Sequence, residues 1–199
     1  MFRDDDIRLS PLLPLAEARE EGEPRCLQEL LQKGLPLVET WVAPAWLEDE
    51  FYRLAGLDYQ LKRIFAGVWG VRIDEEALAR ASERAEKLVR ETYLLAERAE
   101  KFVAALPPGE YRLRRPGSLQ ALRAAGPQQA LWRLKNLWAG EWSLQSLLAR
   151  GGPSMPAPAA VLLQRAPQGF QAASREVLPG MDVYESGGRL AACIPTQTP

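Results

Sequence analysis

The chain has 199 residues, 47% apolar and 26% charged, with Lys+Arg 25 against Asp+Glu 26, the balance of a globular protein with one sizeable core in a single domain. Its net charge of -1 argues against a dedicated nucleic-acid binder, which carries a basic excess to displace counterions. The histidine count is 0, which excludes an imidazole base, a phosphohistidine or a histidine metal ligand on these residues.

The opening Met1-Phe2-Arg3-Asp4-Asp5-Asp6 is acidic where a signal peptide is basic and then apolar, and no apolar run reaches the ~20 residues of a membrane span. A soluble, cytoplasmic protein without membrane contact is expected. Cys26 and Cys193 lie far apart, so neither a zinc spacing nor a disulfide framework can be read from them, and a reducing compartment is the default. The abundance of Ala, Leu, Arg, Glu and Pro fits a high-GC genome and a thermophilic source.

Residues 1–20 form an arm with a short turn or helix around Ser10-Pro11-Leu12-Leu13-Pro14. From Pro24 to Lys33, Leu27, Leu30 and Leu31 have helical spacing, and Gly34 is placed to end that helix in a left-handed cap. A strand is predicted over Leu35–Val42, and Pro44 opens a helix carrying Trp46, Leu47, Phe51, Tyr52 and Leu54. One long amphipathic helix follows the N-cap Asp74, with Leu78, Ala81, Ala85, Leu88, Thr92, Leu95, Ala99, Phe102 and Leu106 in steps of three and four up to Pro107-Pro108-Gly109. Glu83 with Lys87 and Glu97 with Lys101 mark its solvated face, and packing on its own domain is favoured over a coiled-coil dimer.

A strand over Tyr111–Arg114 is followed by a turn at Pro116-Gly117 and a short helix. A second helix is predicted from Pro127 to Ala149, with Leu131, Leu134, Trp138, Trp142 and Leu147 near one face and its tryptophans in the core. After the Gly151-Gly152-Pro153 link, strands are predicted at Ala159–Arg165, Gln171–Val177, Met181–Glu185 and Leu190–Ile194 as a small antiparallel sheet. The expectation is therefore one α+β domain: an arm at 1–20, a mainly helical part at 21–150 and strands at 151–199.

The run Leu27-Gln28-Glu29-Leu30-Leu31-Gln32-Lys33-Gly34-Leu35-Pro36-Leu37, then Trp41-Val42-Ala43-Pro44 and the helix ending Leu54-Ala55-Gly56-Leu57, resembles the start of the ATP-binding N-terminal domain of the pyruvate phosphate dikinase and phosphoenolpyruvate synthase family. There a G-G-K-x-x-N-L-x-x-L helix leads through G-[LI]-P-V-P to a strand. The family's V-R-S-S strand end, its W-A-S-x-[WF]-S helix and its A-V-x-V-Q-x-M-V strand are similar to Leu113-Arg114-Arg115-Pro116, Leu137-Trp138-Ala139-Gly140-Glu141-Trp142-Ser143 and Ala160-Val161-Leu162-Leu163-Gln164-Arg165-Ala166-Pro167. The likeness spans about residues 21–177 and implies part of an ATP-grasp-like lobe.

The departures fall on the residues that the family's chemistry needs. The nucleotide-contacting lysine of G-G-K falls on Glu23, which turns a negative charge toward polyphosphate. Arg114 stands at the family arginine, but the small hydroxyl residues after it become Arg115 and Pro116, the E-D pair becomes Gln120 and Ala121, and little of the glycine-rich turn remains between Ala125-Gly126 and Gln128. The second lobe that holds magnesium and the mobile phosphohistidine domain have no counterpart in this sequence.

The resemblance thus implies a non-catalytic pseudoenzyme domain without cofactor, acting as a protein-interaction or regulatory module on a protein partner or a second copy of itself. The alternative is residual ATP or ADP binding with magnesium through Arg114, with Arg112 or Arg115 beside it and Gln164 near the ligand, a separate polypeptide supplying the missing lobe. Arg112, Arg114 and Arg115 read equally well as a solvated strand end, which is favoured. Nucleic-acid binding, with Tyr111, Trp132, Trp138 and Trp142 stacking on bases, is disfavoured by the charge balance.

Overall fold

A computed structural model of the protein describes residues 10–69, 74–166, 168–173 and 180–196. The acidic opening segment and residues 174–177 of the strand expected over Gln171–Val177 lie outside them, as does Pro167. The architecture is α+β. Its helices are α1 (Glu23–Gln32), α2 (Ala45–Leu54), α3 (Leu57–Phe65), α4 (Glu75–Glu91), α5 (Ala96–Ala104), α6 (Pro127–Gly140) and α7 (Leu144–Arg150). Its strands are β1 (Leu13–Pro14), β2 (Thr40–Ala43), β3 (Tyr111–Arg114), β4 (Leu122–Ala124), β5 (Val161–Gln164), β6 (Gln171–Ala172), β7 (Met181–Ser186) and β8 (Arg189–Pro195).

Strands β1 to β5 form one antiparallel sheet in the order β1-β2-β5-β3-β4, and β6 to β8 form a separate antiparallel meander. The strand expected at Ala159–Arg165 is therefore the centre of the larger sheet instead of part of the terminal one. Register aligns Trp41, Leu163 and Leu113 on one face, and Val42, Leu162 and Arg114 on the other. Alternation along a strand sends these two sets to opposite sides. The first face is buried under α2 to α7 with Leu47, Phe51, Phe65, Leu78, Trp138 and Trp142, while the second meets α1 and the meander with Leu27, Leu30, Leu190 and Cys193. Both faces are covered, which accounts for four consecutive buried residues in β2 and again in β5.

The two long helices each divide. At Thr92 the backbone turns extended, its N–H and its Oγ1 both bind the carbonyl of Leu88, and Lys135 Nζ donates to the carbonyls of Arg90 at 2.9 Å and Thr92 at 3.0 Å. A cation on the orphan carbonyls stops α4 there. Helix α5 is instead positioned by Arg98, whose guanidinium forks onto Glu50 of α2 at 2.9 and 3.1 Å. The pair Glu97–Lys101 forms, whereas Lys87 lies against Glu91 rather than Glu83. The helix expected to Ala149 ends at Gly140, and Ser143 N-caps α7 by accepting the N–H of Ser146.

Two shorter corrections follow. The helix expected after Gly117 is replaced by β4, and the strand expected from Leu35 is confined to Thr40–Ala43, with Pro36, Leu37 and Val38 bridging to Leu190. Gly34 does terminate α1, at φ 74°. Trp138 and Trp142 are core residues, but Trp132 is 44% exposed. Among the described residues no helix is long and apolar enough to cross a membrane.

Candidate functional site

Arg114 ends β3 on the face turned toward α1 and the meander, and nothing of it is exposed. Glu23 opens α1, in line with Leu27 and Leu30 on its buried face, in the first turn where a carboxylate favours the helix dipole. These two meet as a bidentate ion pair, Nη1 to Oε2 at 2.8 Å and Nη2 to Oε1 at 2.7 Å. The remaining donors of Arg114 are also engaged: Nε binds Gln164 Oε1 at 3.0 Å, Nη1 the carbonyl of Ser118 at 3.2 Å and Nη2 the carbonyl of Ala191 at 2.9 Å. A guanidinium has five N–H groups, so none is left for a ligand.

Glu23 is equally saturated, for it also accepts the N–H of Gly117 at 2.8 Å and of Cys193 at 2.9 Å. Gln164 Nε2 completes the network by donating to Thr40 Oγ1 at 3.3 Å and to the carbonyl of Ala191 at 2.6 Å. Desolvating two charges is costly, and only this full set of partners makes the burial tolerable. The network ties α1, the central sheet and β8 together. Cys26, one turn after Glu23, is disulfide-bonded to Cys193 at a Cα–Cα distance of 6.6 Å.

The structure thus brings Arg114 and Gln164 into contact and places Arg112 beside Gln164 in register, but sends the Arg112 Nε to the carbonyl of Ala166 at 2.9 Å. The ring of Phe170 lies 5.4 Å from the Arg114 guanidinium and 5.9 Å from that of Arg112. The expected solvated strand end is corrected for Arg114, which is interior because β3 alternates toward a covered face. In the sequence Glu23 stands out only as the residue at the family's lysine position. The signal for its true position was an acid in phase with the buried leucines of α1.

A second buried pair, which no spacing in the sequence announces, joins α2 to the end of β3. Glu48 of α2, 1% exposed, receives Arg115 Nη1 at 2.8 Å and Nη2 at 2.7 Å, together with the N–H of Ala159 at 3.1 Å. Burial opposes the Arg115 charge, but the Glu48 hydrogen bonds and the charges of Glu48 and Glu141 outweigh it and hold the guanidinium above its usual pKa. Arg115 Nε has no hydrogen-bond partner and sits 3.6 Å from Glu141, at the wall of a cleft of about 440 Å³ that Glu20 and Glu21 also line. Among the described residues no three His, Cys, Asp or Glu side chains gather as a metal site.

No protein-family model matches this sequence, and no curated protein matches it either. The dikinase and synthase likeness therefore rests on the quoted motifs alone.

Proposed function

We propose that the protein is a non-catalytic interaction or regulatory module descended from a dikinase or synthase ATP-binding domain. One observation carries this reading: Arg114 directs all its donors to Glu23, Gln164, Ser118 and Ala191. The residue that in the family contacts nucleotide is here a structural tie. The carboxylate at the family's lysine position is its counter-charge, so the one departure at Glu23 neutralises the retained arginine inside the protein and takes up the donors that a phosphate would need.

A cytoplasmic location belongs to the same proposal. Stable disulfides are rare in the cytoplasm except in hyperthermophiles. The Cys26–Cys193 bond and that compartment go together with the thermophilic source expected from the composition.

The second reading, nucleotide bound with magnesium, is favoured by one feature, Arg115 at the cleft wall, whose Nε makes no hydrogen bond. Glu20, Glu21 and Glu141 on the same cleft oppose it, because they set negative charge against a phosphate.

The test is a backbone-amide NMR titration with ATP and ADP in the presence of magnesium. Non-catalytic behaviour predicts no saturable shift at Gly117, Ser118 or Gln164, or at the amides of Glu141 and Ala160 around the cleft. Saturable shifts at either set would overturn it.

A further inference from the structure

We propose that the groove between α3 and α4 binds a small phosphate-bearing polyanion, clamped by Arg63 and Arg84. It lies on the helical side of the central sheet, away from Arg114, and stands independently of the reading above.

Arg63 of α3 and Arg84 and Lys87 of α4 line one groove of about 450 Å³, whose apolar part comes from Ile64 and Leu88. Other exposed or half-exposed cations on these helices have a carboxylate four residues away: Lys62 with Asp58 at 4.0 Å, Arg80 with Glu76, and Arg90 with Glu86 at 3.5 Å. The sequence withholds that partner from the two groove arginines. Four residues either side of Arg63 are Tyr59 and Gly67, and of Arg84 are Arg80 and Leu88. Among the described residues neither guanidinium makes an ion pair, and Arg63 lies 5.8 Å from the ring of its own helix neighbour Tyr59.

Lys87 has Glu91 at 4.0 Å, and both are largely exposed. Three cations therefore face one acid in a chain whose net charge is -1. Like charges left facing each other repel, and an anion of at least two charges seated between them relieves the repulsion. Guanidinium forks suit phosphate oxygens bidentately, and two of them on facing helices fix its position. The volume is that of a small-molecule site, and Ile64 and Leu88 offer contact to an organic portion of the ligand.

Calorimetric titration of the full chain with inorganic pyrophosphate tests this, with sulfate at matched ionic strength as the comparison. Pyrophosphate is expected to bind saturably and more tightly than sulfate, and Arg63→Gln or Arg84→Gln each to weaken it about tenfold, as loss of a charge-assisted contact does. Arg53→Gln, an exposed cation outside the groove, leaves affinity unchanged. Because the groove residues are surface residues, thermal unfolding should confirm that these variants keep the fold. The proposal is overturned by absence of saturable heat at millimolar pyrophosphate, or by undiminished affinity when Arg63→Gln and Arg84→Gln are combined.

Discussion

The backbone N–H of Cys193 donates to Glu23 Oε1 at 2.9 Å, while the Cys193 sulfur is bonded to Cys26 one turn further along the same helix. Strand β8 is thus held to α1 twice within one turn, once covalently and once through the carboxylate that neutralises Arg114. The bond closes a sequence separation of 167 residues, and long loops restrict the unfolded chain strongly. Reduction, or Cys26→Ser, is expected to lower stability by about 2–4 kcal/mol. Chemical denaturation with and without reductant measures it, and the Cys26→Ser variant should show no response to reductant.

Gln164 is the hinge of the polar network, since its oxygen holds Arg114 Nε and its nitrogen holds Thr40 and Ala191. Gln164→Leu keeps a similar volume but leaves the Arg114 Nε–H buried without an acceptor. The expected loss is about 2–3 kcal/mol, the usual consequence of orphaning a buried charged donor. Urea unfolding midpoints give the value.

Tyr52 lies in the core, donates to the carbonyl of Trp138 at 3.2 Å and accepts from Trp142 Nε1 at 2.9 Å. Burial, opposed by the Trp142 hydrogen bond, raises its pKa above the ordinary 10.0. Above pH 10 the unfolded chain then releases the Tyr52 proton while the folded one keeps it, so stability falls as pH rises, by about 1.4 kcal/mol per unit. Tyr52→Phe removes this component of the alkaline slope. It also lowers stability at neutral pH by about 1–3 kcal/mol, because Trp142 Nε1 loses its acceptor.

Asp74 accepts the N–H of Ala77 at 3.0 Å and caps α4. Asp74→Ala should cost about 1 kcal/mol in a thermal or urea melt, as loss of an N-cap does elsewhere.

What could be read in advance was what local rules determine. Tyr111–Arg114 alternates and is closed by Pro116, Gly34 alone suits the left-handed end of α1, and Asp74 precedes acids in a first turn, so each was placed correctly. The break at Thr92 was hidden because the apolar steps continue through Leu95 to Phe102, and what ends α4 is Lys135, 43 residues away from Thr92. Ser143, which caps α7, lies inside the apolar run from Trp138 to Leu147, and that run reads as one continuous helix. At the candidate site, the family likeness singles out Arg114 and Gln164 as residues near a nucleotide, and the structure joins them to each other by a hydrogen bond. Their partner was not legible, because Glu23 lies 91 residues from Arg114 and no local spacing announces a pair at that separation.

The central claim is that Glu23 and Arg114 serve each other and no ligand. A double-mutant cycle with Glu23→Gln, Arg114→Gln and the combined variant, read by equilibrium unfolding, tests it most directly. Each single change should lose about 3–5 kcal/mol by stranding the other charge, and the double should lose at least about 2 kcal/mol less than their sum. Additive losses, with no coupling between the two positions, would contradict the account.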